Sequence, residues 1–342
     1  MAQSETVLVT GGSGFIGSWC VIELLRRGYA VRATVRDLSR EGAVRASVAA
    51  LTHAGDALSF HEATLTRDEG WIEAATGVDY VLHIASPVFV AEPANADEMI
   101  VPARDGALRV IGAAIKAGVK RVVMTSSVAA TAPPPTVRGD SVSDETVWSD
   151  GADPALGAYA RSKTIAEREA WALIESSGGA TTLATVNPAL VLGPVLSADF
   201  SPSVQVVTRL LSGKVPGVPR LGFNIVDVRD VADLHIRCMI APEAAGQRFI
   251  AAGQWAWMGD IAEILRAHLG AGAGKVPTRK APDLLLRLVG LFDKDIAAVA
   301  PNLGRKRDFS SAKARSQLGW TARPLQDTVL DCARSLIAAD AV

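Results

Sequence analysis

TVLVTGGSGFIG, Thr6 to Gly17, decides how the rest of the chain is read. A β-branched apolar run breaks into a glycine turn, and a helical pattern starts at once, running from Phe15 to Arg27. A strand feeding such a turn suits a nucleotide pyrophosphate. The turn is tight, the backbone comes close to the phosphate oxygens, and the first helical turn offers N–H groups without partners inside the helix. Gly11, Gly14 and Gly17 follow Thr10 at intervals of three, with Ser13, Phe15 and Ile16 completing the candidate phosphate turn.

Outward from that unit, strand-like and helix-like stretches alternate, which predicts a parallel sheet covered on both faces. Ala30 to Val35 reads as the second strand, ending at Arg36 and Asp37, and a helix follows over about 41–54. Leu58 to Ala63 and Asp79 to Ala85 read as the third and fourth strands, the latter a nearly continuous apolar run suited to a central parallel position. A long helix over about 96–117 leads to the fifth strand, Lys120 to Thr125. Residues 130–154 are rich in Pro, Ser, Asp and Gly, with Pro133 to Pro135 in a row, and read as loop beside a substrate cleft. Pro154 to Ser177 reads as one helix, N-capped by Asp153, with Pro154 at its first position and Gly178 and Gly179 beyond its end. Thr181 to Val186 is a sixth strand, stopped by Asn187 and Pro188.

Past Leu190 the loops lengthen, with VPGVPRLG (Val215 to Gly222) as extended linker. The expected fold class is α/β, a doubly wound parallel sheet over 1–189 with a smaller C-terminal substrate lobe over 190–342. The strand-and-helix pattern from Ile225 to Ile240 predicts that residues 223–250 return to the main sheet.

Lys and Arg (35) nearly balance Asp and Glu (36), so a formal charge of −1 gives no long-range field for nucleic acid or an anionic membrane. A small-molecule partner is expected. Cys20, Cys238 and Cys332 lie far apart without metal-ligand spacing, which fits a reduced compartment. His53, His61, His83, His235 and His268 stand beside no Cys or carboxylate cluster, so no metal is expected and His83 reads as a core residue. MAQSE lacks the start of a signal peptide, and no apolar run reaches the roughly 18 residues of a membrane span, so the expected location is cytoplasmic. The expected state is a monomer or a homodimer, the two long helices pairing across the interface in the second case.

Tyr159 and Lys163 form Y-x-x-x-K within the predicted helix, one turn apart on one face. An ammonium beside a phenol favours its ionised form, which suits general acid and base work on an alcohol/ketone pair. Thr125, Ser126 and Ser127 close the fifth strand at the carboxyl edge, where open α/β sheets bind ligands. A serine there can hold a substrate oxygen as it gains charge, and sequence does not separate the two. Ala85 and Ser86, followed by Pro87 and Val88, end the fourth strand beside the same crevice. At the end of the second strand an acid would take the ribose hydroxyls of NAD, whereas an arginine accommodates the extra phosphate of NADP. Arg36 stands there with Asp37 directly after it and Arg40 as a second candidate contact. Phe89, Phe200, Trp255 and Trp257 are candidates to bound an apolar pocket.

The glycine turn, TSS, Y-x-x-x-K and NPALVLGP occur in order, and in them the chain resembles an extended short-chain dehydrogenase/reductase. VRATVRD, TSS and VNPALVLGP are similar to the dihydroflavonol reductase and aldehyde (carbonyl) reductase branch. The resemblance covers Thr6 to Asp230 and implies a Rossmann-type fold with a Ser-Tyr-Lys site. It implies that Tyr159 protonates a carbonyl oxygen as hydride arrives, that Ser127 (or Ser126) orients that oxygen, and that Lys163 binds the nicotinamide ribose. It further implies that Pro188 and Val191 lie at the nicotinamide and that Arg36 selects NADP(H). Two departures stand out. Thr64 and Leu65 replace the Asp-Leu pair that usually approaches the adenine, and Ala130 to Ala132 stands where plant dihydroflavonol reductases carry a flavonoid-contacting asparagine. The expected function is NADPH-dependent reduction of a small apolar aldehyde or ketone. One alternative is a sugar-nucleotide epimerase or dehydratase that keeps NAD bound and uses Arg209, Lys214 and Arg220 for a diphosphate; Arg36 argues against it. The other is a non-catalytic NADP-binding regulator, against which Tyr159 and Lys163 both argue.

Overall fold

The computed structural model describes residues 4–87, 93–134, 136–137, 139–197, 201–214, 217–289 and 300–342. The glycine turn joins β1 (Thr6–Thr10) to α1 (Phe15–Arg26). The chain continues through β2 (Ala30–Val35), α2 (Glu41–Ala49), β3 (Leu58–Glu62), α3 (Trp71–Ala75), β4 (Tyr80–His83), α4 (Asp97–Lys116) and β5 (Arg121–Thr125). Next come β6 (Ser141–Ser143), α5 (Gly157–Ser177), β7 (Thr182–Pro188), β8 (Leu190–Leu192), α6 (Gln205–Leu211), β9 (Gly222–Asp227), α7 (Val228–Ile240) and β10 (Gln247–Ala251). The described chain closes with β11 (Trp255–Trp257), α8 (Met258–His268), α9 (Asp283–Val289), β12 (Arg307–Phe309), α10 (Ala312–Leu318) and α11 (Leu325–Ala338).

Seven strands pair in parallel in the order β10-β7-β5-β4-β1-β2-β3. From β1 the chain works outward to β3 and then crosses back to β4, so strand order reverses between β1 and β4. Loops leaving those two strands diverge to opposite faces and open a crevice at their carboxyl ends. The glycine turn leaves β1 there, and Ala85 and Ser86 leave β4.

Both faces of the sheet are buried, which is why its strands read as unbroken apolar runs. Val7, Val9, Leu82 and Val123 belong to a core shared with α1 and α7. The alternate residues Leu8, Val81, Val122 and Met124 belong to a second core with α3, α4 and α5. Successive side chains on a strand point to opposite faces, and burying apolar area on each contributes roughly 25 cal/mol per Å².

Four expectations are corrected. The strand and helix over 225–240 part company: β9 pairs with β8 and β11 in a separate three-stranded sheet, whereas α7 packs against the main sheet and β10 joins it beside β7. The sixth strand does not stop at Asn187 but runs through Pro188, whose register partner is Ala251 of β10. The β5 ladder ends at Val186, so Pro188 has only one neighbour and its missing N–H costs nothing there. Pro154 to Ser177 is two pieces, a 3₁₀ turn at Pro154–Leu156 and then α5, because Gly157 at φ +75° cannot continue a helix. Asp153 does cap, but it caps the 3₁₀ turn, accepting from the Ala155 N–H at 2.9 Å. Finally, the loop over 130–154 contains β6, which pairs in parallel with β12. Among the described residues no helix is long and apolar enough to cross a membrane.

Candidate active site

The floor of the crevice is the glycine turn. The Gly11 N–H donates to Thr34 Oγ1 (3.1 Å), the Gly12 N–H to the Thr34 carbonyl (3.0 Å), and the Gly14 N–H to the Gly11 carbonyl (2.9 Å). Gly14 occupies the N-cap of α1 and supplies no side-chain cap, so the first-turn N–H groups face the crevice without a partner from the cap. Gly11 sits at φ +68°, and a Cβ on Gly17 would lie 2.2 Å from the Gly11 carbonyl oxygen. Such a cradle has room for phosphate oxygens and for no side chain, so it fits a dinucleotide pyrophosphate. Ser13 and Ile16 are half-buried at its rim, whereas the Phe15 side chain is in the core, leaving only its backbone for a cofactor. Thr10 is fully buried. Its hydroxyl is 2.9 Å from His83 Nδ1 and accepts from the Ala85 N–H at 3.0 Å, so it braces β1 against β4 instead of facing a ligand. Thr34, which sequence did not single out, holds the turn's other side.

At the adenosine end, Arg36 is exposed immediately after β2. Asp37 is already engaged: its carboxylate accepts from the Ser39 N–H at 2.8 Å, and that bond holds it below the usual carboxylate range. Asp37 thereby caps a 3₁₀ turn, Leu38–Arg40, that includes half-buried Arg40, whereas Arg36 takes no part in the cap. The Thr64 carbonyl accepts from Trp71 Nε1 (3.1 Å), and Leu65 lies over Gly106 of α4 with its carbonyl held by Arg109 (2.9 Å).

The reactive end is built from β4, β5 and α5. Lys163 is 8 % exposed, and its Nζ donates to Ser86 Oγ at 3.0 Å. Ala85, one residue back, stands so near Gly11 that a Cβ added to that glycine would lie 3.2 Å from the Ala85 Cα and Cβ. The lysine of Y-x-x-x-K therefore ends beside the glycine turn, at the point where strand order reverses. Tyr159, one turn earlier on α5, is half exposed. Ser126 donates to Glu167 Oε2 at 2.5 Å, whereas Ser127 Oγ accepts from the Ala129 N–H (3.1 Å) and keeps its own proton. Thr125 turns away: its hydroxyl meets His235 Nε2 at 2.7 Å, on the α7 side. His235 Nδ1 lies 2.7 Å from the Val231 carbonyl, which can only accept, so Nε2 is the acceptor for Thr125. Burial lowers the His235 pKa to about 4. Burial and the Lys163 ammonium lower that of His83 to about 3, so neither histidine supplies protons near neutrality. Pro188 is buried beside β10, and Val191 of β8 is a core residue.

Behind these side chains stand three buried polar residues, Glu167, Asn187 and Arg248, to which the sequence motifs assign no part in the site. Glu167, fully buried, accepts from Ser126 Oγ (2.5 Å), Thr185 Oγ1 (2.8 Å), Asn187 Nδ2 (2.9 Å) and Arg248 Nε (2.7 Å). Asn187 Nδ2 also donates to the Ser127 carbonyl (3.1 Å). Arg248 reaches the carbonyls of Glu145, Val147 and Ala130 and lies 3.5 Å above the Trp148 ring. The signal was present: Glu167 continues the four-residue spacing of Tyr159 and Lys163, and Arg248 is a lone charge in a strand pattern.

Of the pocket aromatics, Phe89 and Phe200 lie outside the described residues. Trp255 and Trp257 stand edge to face, ring centroids 5.6 Å apart, in the three-stranded sheet. Arg220 lies over Trp257 and donates to the Gly304 carbonyl, and Arg209 donates to Gln205 on its own helix.

The model of the NAD dependent epimerase/dehydratase family matches residues 7–252. The chain belongs to this family. Its relatives include cinnamoyl-CoA reductase 1 of Petunia hybrida, 38 % identical over 267 residues and covering 77 % of each chain. Dihydroflavonol 4-reductase of Zea mays is 34 % identical over 276 residues, covering 78 % of this chain and 74 % of that one. In fold, the chain is similar to the yeast methylglyoxal/isovaleraldehyde reductase Gre2, solved with NADPH: the TM-score is 0.80 at 24 % identity, covering 98 % and 99 % of the two chains. The extended short-chain dehydrogenase/reductase assignment made from the motifs stands, as does its reductase branch.

Proposed function

We propose that this protein is an NADP(H)-dependent oxidoreductase that reduces an aldehyde or ketone to the alcohol, reversibly, at a Ser-Tyr-Lys site. The observation that carries the reading is the Lys163 to Ser86 bond, because it anchors the α5 face bearing Tyr159 beside the glycine turn. Bound NADPH supplies the hydride. Tyr159 donates its proton to the carbonyl oxygen, and Ser127, whose proton no described neighbour claims, donates a hydrogen bond to that oxygen as it gains charge. Lys163 holds the ribose hydroxyls. The first turn of α1 takes the pyrophosphate, and Arg36 takes the 2′-phosphate.

The test is loss of NADPH absorbance with a panel of carbonyl compounds. The names of the relatives make an arylacyl-CoA thioester worth a place beside simple aldehydes and ketones. Turnover of none of them removes the reading. Cofactor choice has its own test. Arg36→Ala is expected to weaken NADPH about ten- to a hundredfold, the size of one or two charge-assisted hydrogen bonds, and to change NADH about threefold at most. Equal losses for both cofactors would place the phosphate elsewhere. Purified protein carrying tightly held NAD would favour an epimerase or dehydratase instead.

A further inference from the structure

We propose that Glu167, with its ion-pair partner Arg248, is a positioning residue for the Ser127, Tyr159 and Lys163 constellation. The inference rests on the reductase reading and goes beyond it. A fully buried carboxylate is costly to desolvate, and a hydrophobic replacement of a buried ion pair is often as stable, so stability alone does not account for this one. Its partners do. Ser126 precedes Ser127; Asn187 bonds both Glu167 and the Ser127 carbonyl; and Arg248 reaches the Ala130 carbonyl in the 3₁₀ turn that Ser127 caps. Glu167 itself lies one turn after Lys163 and two after Tyr159 on α5. One carboxylate therefore ties the serine end of β5 to the helix carrying the phenol and the ammonium. It fixes how far apart they stand before any ligand arrives. Misplacement of reacting groups by about 1 Å can cost on the order of a hundredfold in rate.

The test compares the full-length parent with Glu167→Gln, Glu167→Gln/Arg248→Met and Ser126→Ala, measuring kcat, KM, NADPH affinity and thermal midpoint. Glu167→Gln is expected to lose about 10- to 100-fold in kcat, with KM and NADPH affinity changed by no more than about threefold. The double variant removes the stranded guanidinium and is expected to regain the midpoint but not kcat, a split that a purely structural role would not produce. Ser126→Ala leaves the ion pair intact and serves if the others fail to fold; its kcat is expected to fall about three- to tenfold at unchanged KM. A folded double variant, or Ser126→Ala, with parental kcat overturns the positioning role alone. A parent that turns over no carbonyl overturns the functional reading on which it rests.

Discussion

Tyr159→Phe is expected to bind NADPH as the parent does and to lose about a thousandfold in kcat/KM for carbonyl reduction, within the range for removing a general acid. Tyr159 is half exposed, so deleting its hydroxyl opens no cavity and breaks no buried hydrogen bond. Stability should stay within about 0.5 kcal/mol of the parent. Among the described residues no neighbour is placed to substitute. His83 is buried and neutral, the Ser126 proton is committed to Glu167, and the Lys163 ammonium donates to Ser86. Cofactor fluorescence would report binding, and single-turnover absorbance would report chemistry. A variant within tenfold of the parent rate would mean that another group delivers the proton.

The second large effect belongs to the turn. Gly17→Ala is expected to lower NADPH affinity at least about a hundredfold and to destabilise the fold by about 1–3 kcal/mol, the usual cost of overpacking. The added methyl would meet the Gly11 carbonyl oxygen at 2.2 Å and its carbon at 2.9 Å, both backbone atoms that no rotamer change can move. That same carbonyl accepts from the Gly14 N–H, so relieving the clash pulls apart the bond that shapes the phosphate cradle. Gly112→Ala is the control. It lies within α4 with nothing within 4 Å of the added methyl, and helix propensity predicts a gain of up to about 1 kcal/mol. If Gly17→Ala binds NADPH normally, the dinucleotide does not lie over this turn.

Local pattern carried much of the architecture. β2 falls at Ala30–Val35, as its alternating and β-branched residues indicate, and the long fourth helix ends within a residue of its expected limits. Such patterns report the period of burial and the chemistry of turns, both set by neighbours in sequence. They do not report which strand lies alongside which. Hence the sequence pattern places β9 in the wrong sheet and does not reveal β6 and β12, three residues each. The site shows the same divide. Y-x-x-x-K was legible because one helical turn relates its members, whereas Ser126 is set apart from Ser127 by its bond to Glu167, a residue 41 positions away. Likewise the cap that Asp37 makes, and its neighbour Arg36 does not, is displayed only by a folded backbone.

The ladder between Ser141–Ser143 and Arg307–Phe309 limits how this enzyme could be re-engineered. Grafting a relative's C-terminal half at a single junction near residue 190 would leave the first of those two segments native and make the second foreign. The stretch that runs from Ser127 to Tyr159 would then be stitched to an unfamiliar mate. A chimera meant to change substrate preference therefore needs two crossovers, carrying residues 141–143 along with the donor's tail.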